Sequence, residues 1–135
     1  VTLAILMPIV ASMGGIAGMQ SLALVIRSQA LDQIGSSNSR LLILKEASIG
    51  VLNGILWSSV VALAVYLWFE SIFLGIVIAA ALLINLIIGA ISGVSLPLIL
   101  AKFKIDPALA GGVILTTITD IVGFISLLGI ATLIL

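Results

Sequence analysis

Apart from Asp120, charged residues are confined to short clusters along this chain, and between the clusters the sequence is predominantly hydrocarbon. Apolar runs cover approximately 1–26, 41–68 and 72–101, and a fourth, apolar from Leu109 onward, continues to Leu135. Crossing a hydrocarbon core of about 30 Å takes about 20 helical residues, so each run is long enough to cross once. The pattern predicts an all-α, polytopic membrane helical domain occupying 1–135, with four transmembrane helices and the lipid bilayer as its solvent. The fourth helix is expected to begin at Pro107, because Asp106-Pro107 supplies an N-cap residue followed by a proline at the first helical position. Its span is therefore read as 107–135.

Composition strengthens this reading. Hydrophobic residues make up 63% of the chain and charged residues only 7%, against about 25% charged in soluble domains. There is no cysteine and no histidine, which removes thiol chemistry, soft-metal ligation and imidazole acid/base catalysis and leaves only hard oxygen ligands. No catalytic pair of the Ser/His or two-carboxylate kind stands at membrane depth, so an enzyme is not expected. The net charge of zero gives no reason to expect a nucleic-acid partner.

Cations fix the orientation. Arg27, Arg40 and Lys45 flank the first connection and Lys102 and Lys104 the third, whereas the turn at Glu70 has none. The positive-inside rule places the two basic connections in the cytoplasm and Glu70 outside, with Tyr66, Trp68, Phe69 and Phe73 as an aromatic belt around it. Both ends of the sequence then lie outside. An apolar first residue other than methionine leads to the expectation that a further span, and a cytoplasmic region before it, precede Val1. Residues 35–39 read as a turn cluster in which Asn38 or Ser39 caps the second helix.

Small and polar residues form stripes on all four spans. The first has Pro8, then Gly14, Gly15 and Gly18, then Gln20 and Ser21, so its helical hydrogen bonding is expected to be weakened or interrupted. Irregular backbone at membrane depth lines water or is buried in protein, and its free carbonyls suit cations; a kinked packing helix is the alternative. On the second span Glu46, Gly50, Gly54 and Ser58 recur at intervals of four, and on the third Asn85, Gly89, Gly93 and Pro97 do the same. These are read as helix-packing seams, with Asn53 and Asn85 as hydrogen-bonding members. Lys45 and Glu46 are expected at the inner interface, snorkelling or pairing with Arg40, where Glu46 would attract cations to a mouth only weakly.

The fourth span carries the most informative residue. Ala108, Gly112, Thr116 and Asp120 recur at intervals of four, with Gly123 extending the same face. Thirteen residues after Pro107, at about 1.5 Å each, Asp120 sits near mid-membrane, where an acidic residue costs roughly 2.5 to 3.5 kcal/mol and faces a cavity, a partner or an ion path. Magnesium surrenders water reluctantly and is commonly held through one or two carboxylates with waters retained. One aspartate per chain suits that habit, or a two-fold homodimer supplies a second copy of Asp120. Thr116, Thr117 and Thr119 offer hydroxyls to the ion's waters or to the carboxylate. Two other readings stay open: a proton- or sodium-coupled secondary carrier, and a membrane scaffold whose protonated Asp120 bonds a neighbouring helix.

In order and spacing these features resemble the transmembrane domain of the MgtE family of magnesium channels and transporters. The residues concerned are Pro8 and the run Gly14-Gly15-Ile16-Ala17-Gly18-Met19-Gln20-Ser21 leading to Arg27; Leu44-Lys45-Glu46 with Gly50 and Gly54; and Asp106-Pro107-Ala108 leading to Thr116-Thr117-Ile118-Thr119-Asp120 and Gly123. The resemblance covers nearly the whole chain. It implies a homodimer of five spans per subunit, of which these are the last four, in the inner or plasma membrane of a bacterium or archaeon. It further implies a pore on the dimer axis, lined by the first and last spans, in which Asp120 holds hydrated Mg2+ with backbone near Gly15 and Thr116 contributing. Gating by a cytoplasmic regulatory region ahead of the membrane domain is implied for many members. The candidate metal set is Asp120, Thr116, Gly15, Gly112 and Thr119. This chain departs from the family pattern at Ile16, where asparagine is usual, at Met19, commonly polar, and at Val113, often proline. Co2+ and Mn2+ are the alternative divalent ions.

Overall fold

In a computed structural model of the chain, which describes residues 2–30 and 39–134, four helices follow one another: α1 (Thr2–Ala30), α2 (Ser39–Phe69), α3 (Ile72–Lys102) and α4 (Pro107–Ile134). No strand occurs among the described residues. Each helix contains a stretch long and apolar enough to cross a bilayer: Leu3–Arg27, Ile43–Phe69, Ile72–Lys102 and Ala110–Ile134. The helices therefore agree with the apolar runs to within a few residues at each end. The turn cluster and the cap expected of Asn38 lie outside the described residues.

The most apolar helix is the central one. α3 packs against α1, α2 and α4, and α1 also touches α4. Its buried face runs through Val77, Ile78, Ala81, Leu82, Asn85, Leu86, Gly89, Ala90, Gly93, Val94 and Pro97, which confirms the seam expected at Asn85, Gly89, Gly93 and Pro97. The lower core joins Leu6, Val10, Val65, Leu82, Leu86 and Leu127 from all four helices. In a bilayer, lipid competes with side chains for apolar contact, so close backbone approach at small residues drives helix association. A β-carbon at Gly89 would stand 2.5 Å from the Gly14 carbonyl oxygen, and one at Gly93 would collide with the Gly18 carbonyl oxygen. On α2 the seam is also as expected: Glu46, Gly50, Gly54 and Ser58 are all buried. β-carbons at Gly50 and Gly54 would come within 2.8 Å of Ala90 and 2.6 Å of Leu83.

The interruption expected in α1 does not occur. The helix is continuous through Pro8, Gly14, Gly15 and Gly18. Pro8 deprives the chain of one amide donor, but Gly14 and Gly18 serve contact with α3 and Gly15 faces Thr119 of α4, so this helix packs rather than unwinds.

Helix ends follow their local chemistry. The Ser71 hydroxyl accepts from the Leu74 amide at 3.3 Å and caps α3, while Glu70, at φ 52°, closes α2 with its amide donating to the Tyr66 carbonyl at 2.8 Å. At the far end of α3 the Lys104 amide donates to Ala101 (3.1 Å) and the Ile105 amide to Leu100 (2.9 Å), with Lys104 at φ 58°. This is a Schellman closure with lysine where glycine is usual. α4 begins at Pro107 as expected, and the Ala110 amide donates to the Asp106 carbonyl at 3.2 Å. Around the Glu70 turn Tyr66, Trp68 and Phe73 are exposed, whereas Phe69 packs against the core.

Candidate cation site

α1 and α4 form between them an open cavity of about 590 Å³, lined on the α1 side by Pro8, Ala11, Ser12, Gly15, Ile16, Met19, Gln20 and Ala23 and on the α4 side by Thr116 and Asp120. Residues 8, 12, 15, 19 and 23 are spaced as one helical face, so a single side of α1 lies along the cavity. Asp120 is half-buried and Thr116 exposed. Three of the five candidate metal residues, Asp120, Thr116 and Gly15, thus meet at one space.

The other two do not line it. Thr119 is fully buried, and its hydroxyl donates within its own helix to the Leu115 carbonyl at 3.1 Å and the Thr116 carbonyl at 3.2 Å. It lies among Gly15 and Gly89, whose β-carbons would stand 3.6 Å from its Oγ1 and 3.5 Å from its Cγ2. Gly112 faces Met19, with 3.6 Å between an added β-carbon and the Met19 Cε. Thr117 is exposed and donates to the Val113 carbonyl at 2.8 Å.

The seam of α4 explains the division. Gly111, Leu115, Thr119, Gly123, Leu127 and Ala131 are buried at intervals of four, so the packing row lies next to the row of Gly112, Thr116 and Asp120. Gly123 belongs to the packing row, not to the expected trough; a β-carbon there would come within 2.9 Å of the Asn85 Nδ2. The Asn85 amide itself donates to the Val10 carbonyl at 2.8 Å, as its role in packing requires. Asn53 differs from expectation: it is exposed and lines cavities instead of bonding a neighbouring helix. Ser12 went unread as a site residue, although its spacing to Gly15, Met19 and Ala23 carries the signal.

The pairing expected of Glu46 with Arg40 does not occur either. It is buried at 4% exposure, and its Oε2 accepts from the Ser21 hydroxyl at 2.9 Å, from α1 to α2. Among the described residues it pairs with no cation, Arg40 included. The position on the α2 seam turns it inward, whereas Lys45, one residue earlier, is exposed.

No group of three or more acidic side chains capable of holding a bare ion is found among the described residues. One carboxylate, one threonine hydroxyl and the polar groups of Ser12 and Gln20 around a cavity of this size suit an ion that keeps its waters.

Residues 7–130 match the MgtE divalent cation transporter family. Similar proteins include the magnesium transporter MgtE of Bacillus subtilis, 39% identical over 132 residues and covering 98% of this chain. Those of Enterococcus faecalis and Thermus thermophilus, both also named magnesium transporter MgtE, are 30% and 31% identical over 97% and 98% of it. The chain spans 29% of the length of each of these relatives. With four bilayer-crossing helices, it is a multi-pass integral membrane protein, and it belongs to the MgtE divalent cation transporter family.

Proposed function

We propose that this chain forms the ion-conducting part of a homodimeric transporter that passes a hydrated divalent cation, Mg2+ before Co2+ or Mn2+, down its electrochemical gradient past Asp120. The observation that carries the reading is the meeting of Asp120, Thr116 and Gly15 at one cavity between α1 and α4. The helix midpoint is the most costly place for a carboxylate, and a passing cation offsets that cost while it is bound. A single fixed negative charge attracts the ion, and retained water keeps the binding weak enough for release. The absence of a side chain at Gly15 leaves width opposite the carboxylate.

The exposed flank of the site supports a dimer: Ile16, which lines the cavity, is 60% exposed and Val113 of α4 is 72% exposed, and a second copy placed there would close the path and bring its own Asp120. The names of the relatives support magnesium as the ion.

The test is Mg2+ entry into proteoliposomes, read with an internal Mg2+-sensitive dye, for the chain and for Asp120→Asn. Flux is expected in the first and lost in the second, with helical circular dichroism retained. Equal flux in both overturns the proposal. A flux that follows an imposed proton gradient turns the reading towards a coupled carrier.

A further inference from the structure

We propose that Glu46 marks a second cation site, which takes a hydrated divalent ion on the carboxylate oxygen left without a protein partner. Glu46 is 4% exposed, and Ser21 supplies its sole hydrogen bond among the described residues, to Oε2. Neither Oε1 nor Oε2 has a cationic partner among the described residues, and Arg27, Arg40 and Lys45 are all exposed. A charge buried at membrane depth is strongly unfavourable unless it is paired, and one neutral hydroxyl does not pair it. The side chain is not sealed in hydrocarbon, however. It lines a cavity of about 190 Å³ with Gln20, Ser21 and Asn53. A water occupies roughly 10 to 15 Å³ of such space, so several fit around an ion. Two amide side chains and a serine offer acceptors and donors to those waters, and one carboxylate with retained water is the habit of a small hard divalent cation.

The position of the site adds to the argument. Gln20 lines this cavity, the Asp120 cavity, and a third of about 270 Å³ between α1 and α2 that also reaches Asn53 and Trp57. Glu46 lies seven residues into α2, about 10 Å from the end that carries Arg40, so the three spaces meet at Gln20 between mid-membrane and the basic end of the bundle. Binding at Glu46 requires neither Asp120 nor transport, and it stands or falls separately from the function proposed above.

Mn2+, a paramagnetic divalent ion, is the probe. In the whole chain carrying Asp120→Asn, in detergent micelles, backbone amide NMR signals of Gln20, Ser21, Ile49 and Gly50 are expected to broaden saturably with Mn2+ and to recover on adding excess Mg2+. Adding Glu46→Gln, which keeps the shape and the acceptor for Ser21, is expected to weaken the effect by about tenfold or more through loss of the only charged ligand. Absence of broadening at those amides at millimolar Mn2+ overturns the proposal, and so does equal broadening with Glu46→Gln. Should the double variant fail to fold, the competition decides: broadening that Mg2+ does not reverse is non-specific and overturns the site.

Discussion

The carboxamide of Asn85 occupies the space in which a side chain at Gly14 would begin: a β-carbon there would overlap its Nδ2 and lie 2.6 Å from its Cγ. Asn85 is thereby held among α1, α3 and α4, with its amide on the Val10 carbonyl at 2.8 Å. Gly14→Ala is accordingly expected to destabilise the bundle by about 1–3 kcal/mol, the cost of overpacking a tight core. Thermal unfolding in detergent, followed by circular dichroism, checks it. An unchanged midpoint would mean that Asn85 can rotate away without loss.

Gly93→Ala should be more damaging than Gly14→Ala. The atom it meets is the backbone carbonyl of Gly18, with the Ser21 Cβ at 2.8 Å beside it, and backbone cannot change rotamer. The expected result is separation of α1 from α3, read as a loss of thermal stability that exceeds the effect at Gly14. The reverse order of the two variants would count against a Gly14–Gly18 and Gly89–Gly93 crossing.

The helices were legible because each apolar run is longer than a bilayer crossing requires, and the Asp106-Pro107 start was legible because capping is local chemistry. What lay beyond reach was the choice between neighbouring rows on α4. Gly111 and Gly112, Leu115 and Thr116, Thr119 and Asp120 are adjacent pairs, and in a span that is apolar all round no polar face marks which row packs. The inward turn of Glu46 depends on Ser21, 25 residues away, which no local pattern contains; beside Lys45 it reads as an interface residue. The glycines of α1 suit both an unwound segment and a close crossing, and the partner glycines on α3 decide for the crossing.

Lys104→Gly is expected to stabilise the chain. Lysine at φ 58° carries the left-handed strain that glycine avoids, worth about 1 kcal/mol. The residue is exposed, so little packing is lost in exchange. A rise in the thermal midpoint would confirm that the closure of α3 is strained, and a fall would show that the Lys104 side chain contributes more than its backbone costs.

The two rows of α4 give the sharpest contrast. Gly123→Leu adds bulk to the packing row, where even a β-carbon would come within 2.9 Å of Asn85 Nδ2 and 3.3 Å of Val10; it should lower stability by about 1–3 kcal/mol or prevent folding. Gly112→Leu adds the same bulk beside Met19, at an ordinary 3.6 Å from its Cε, where a flexible thioether can yield. That variant should fold with a near-normal midpoint and yet reduce Mg2+ flux in proteoliposomes, since Met19 also lines the Asp120 cavity and would be pushed into it. Were Gly112→Leu to unfold the bundle while Gly123→Leu did not, the rows would be exchanged and Asp120 would belong to a packing seam. Normal folding with normal flux in Gly112→Leu would separate this face from the ion path altogether.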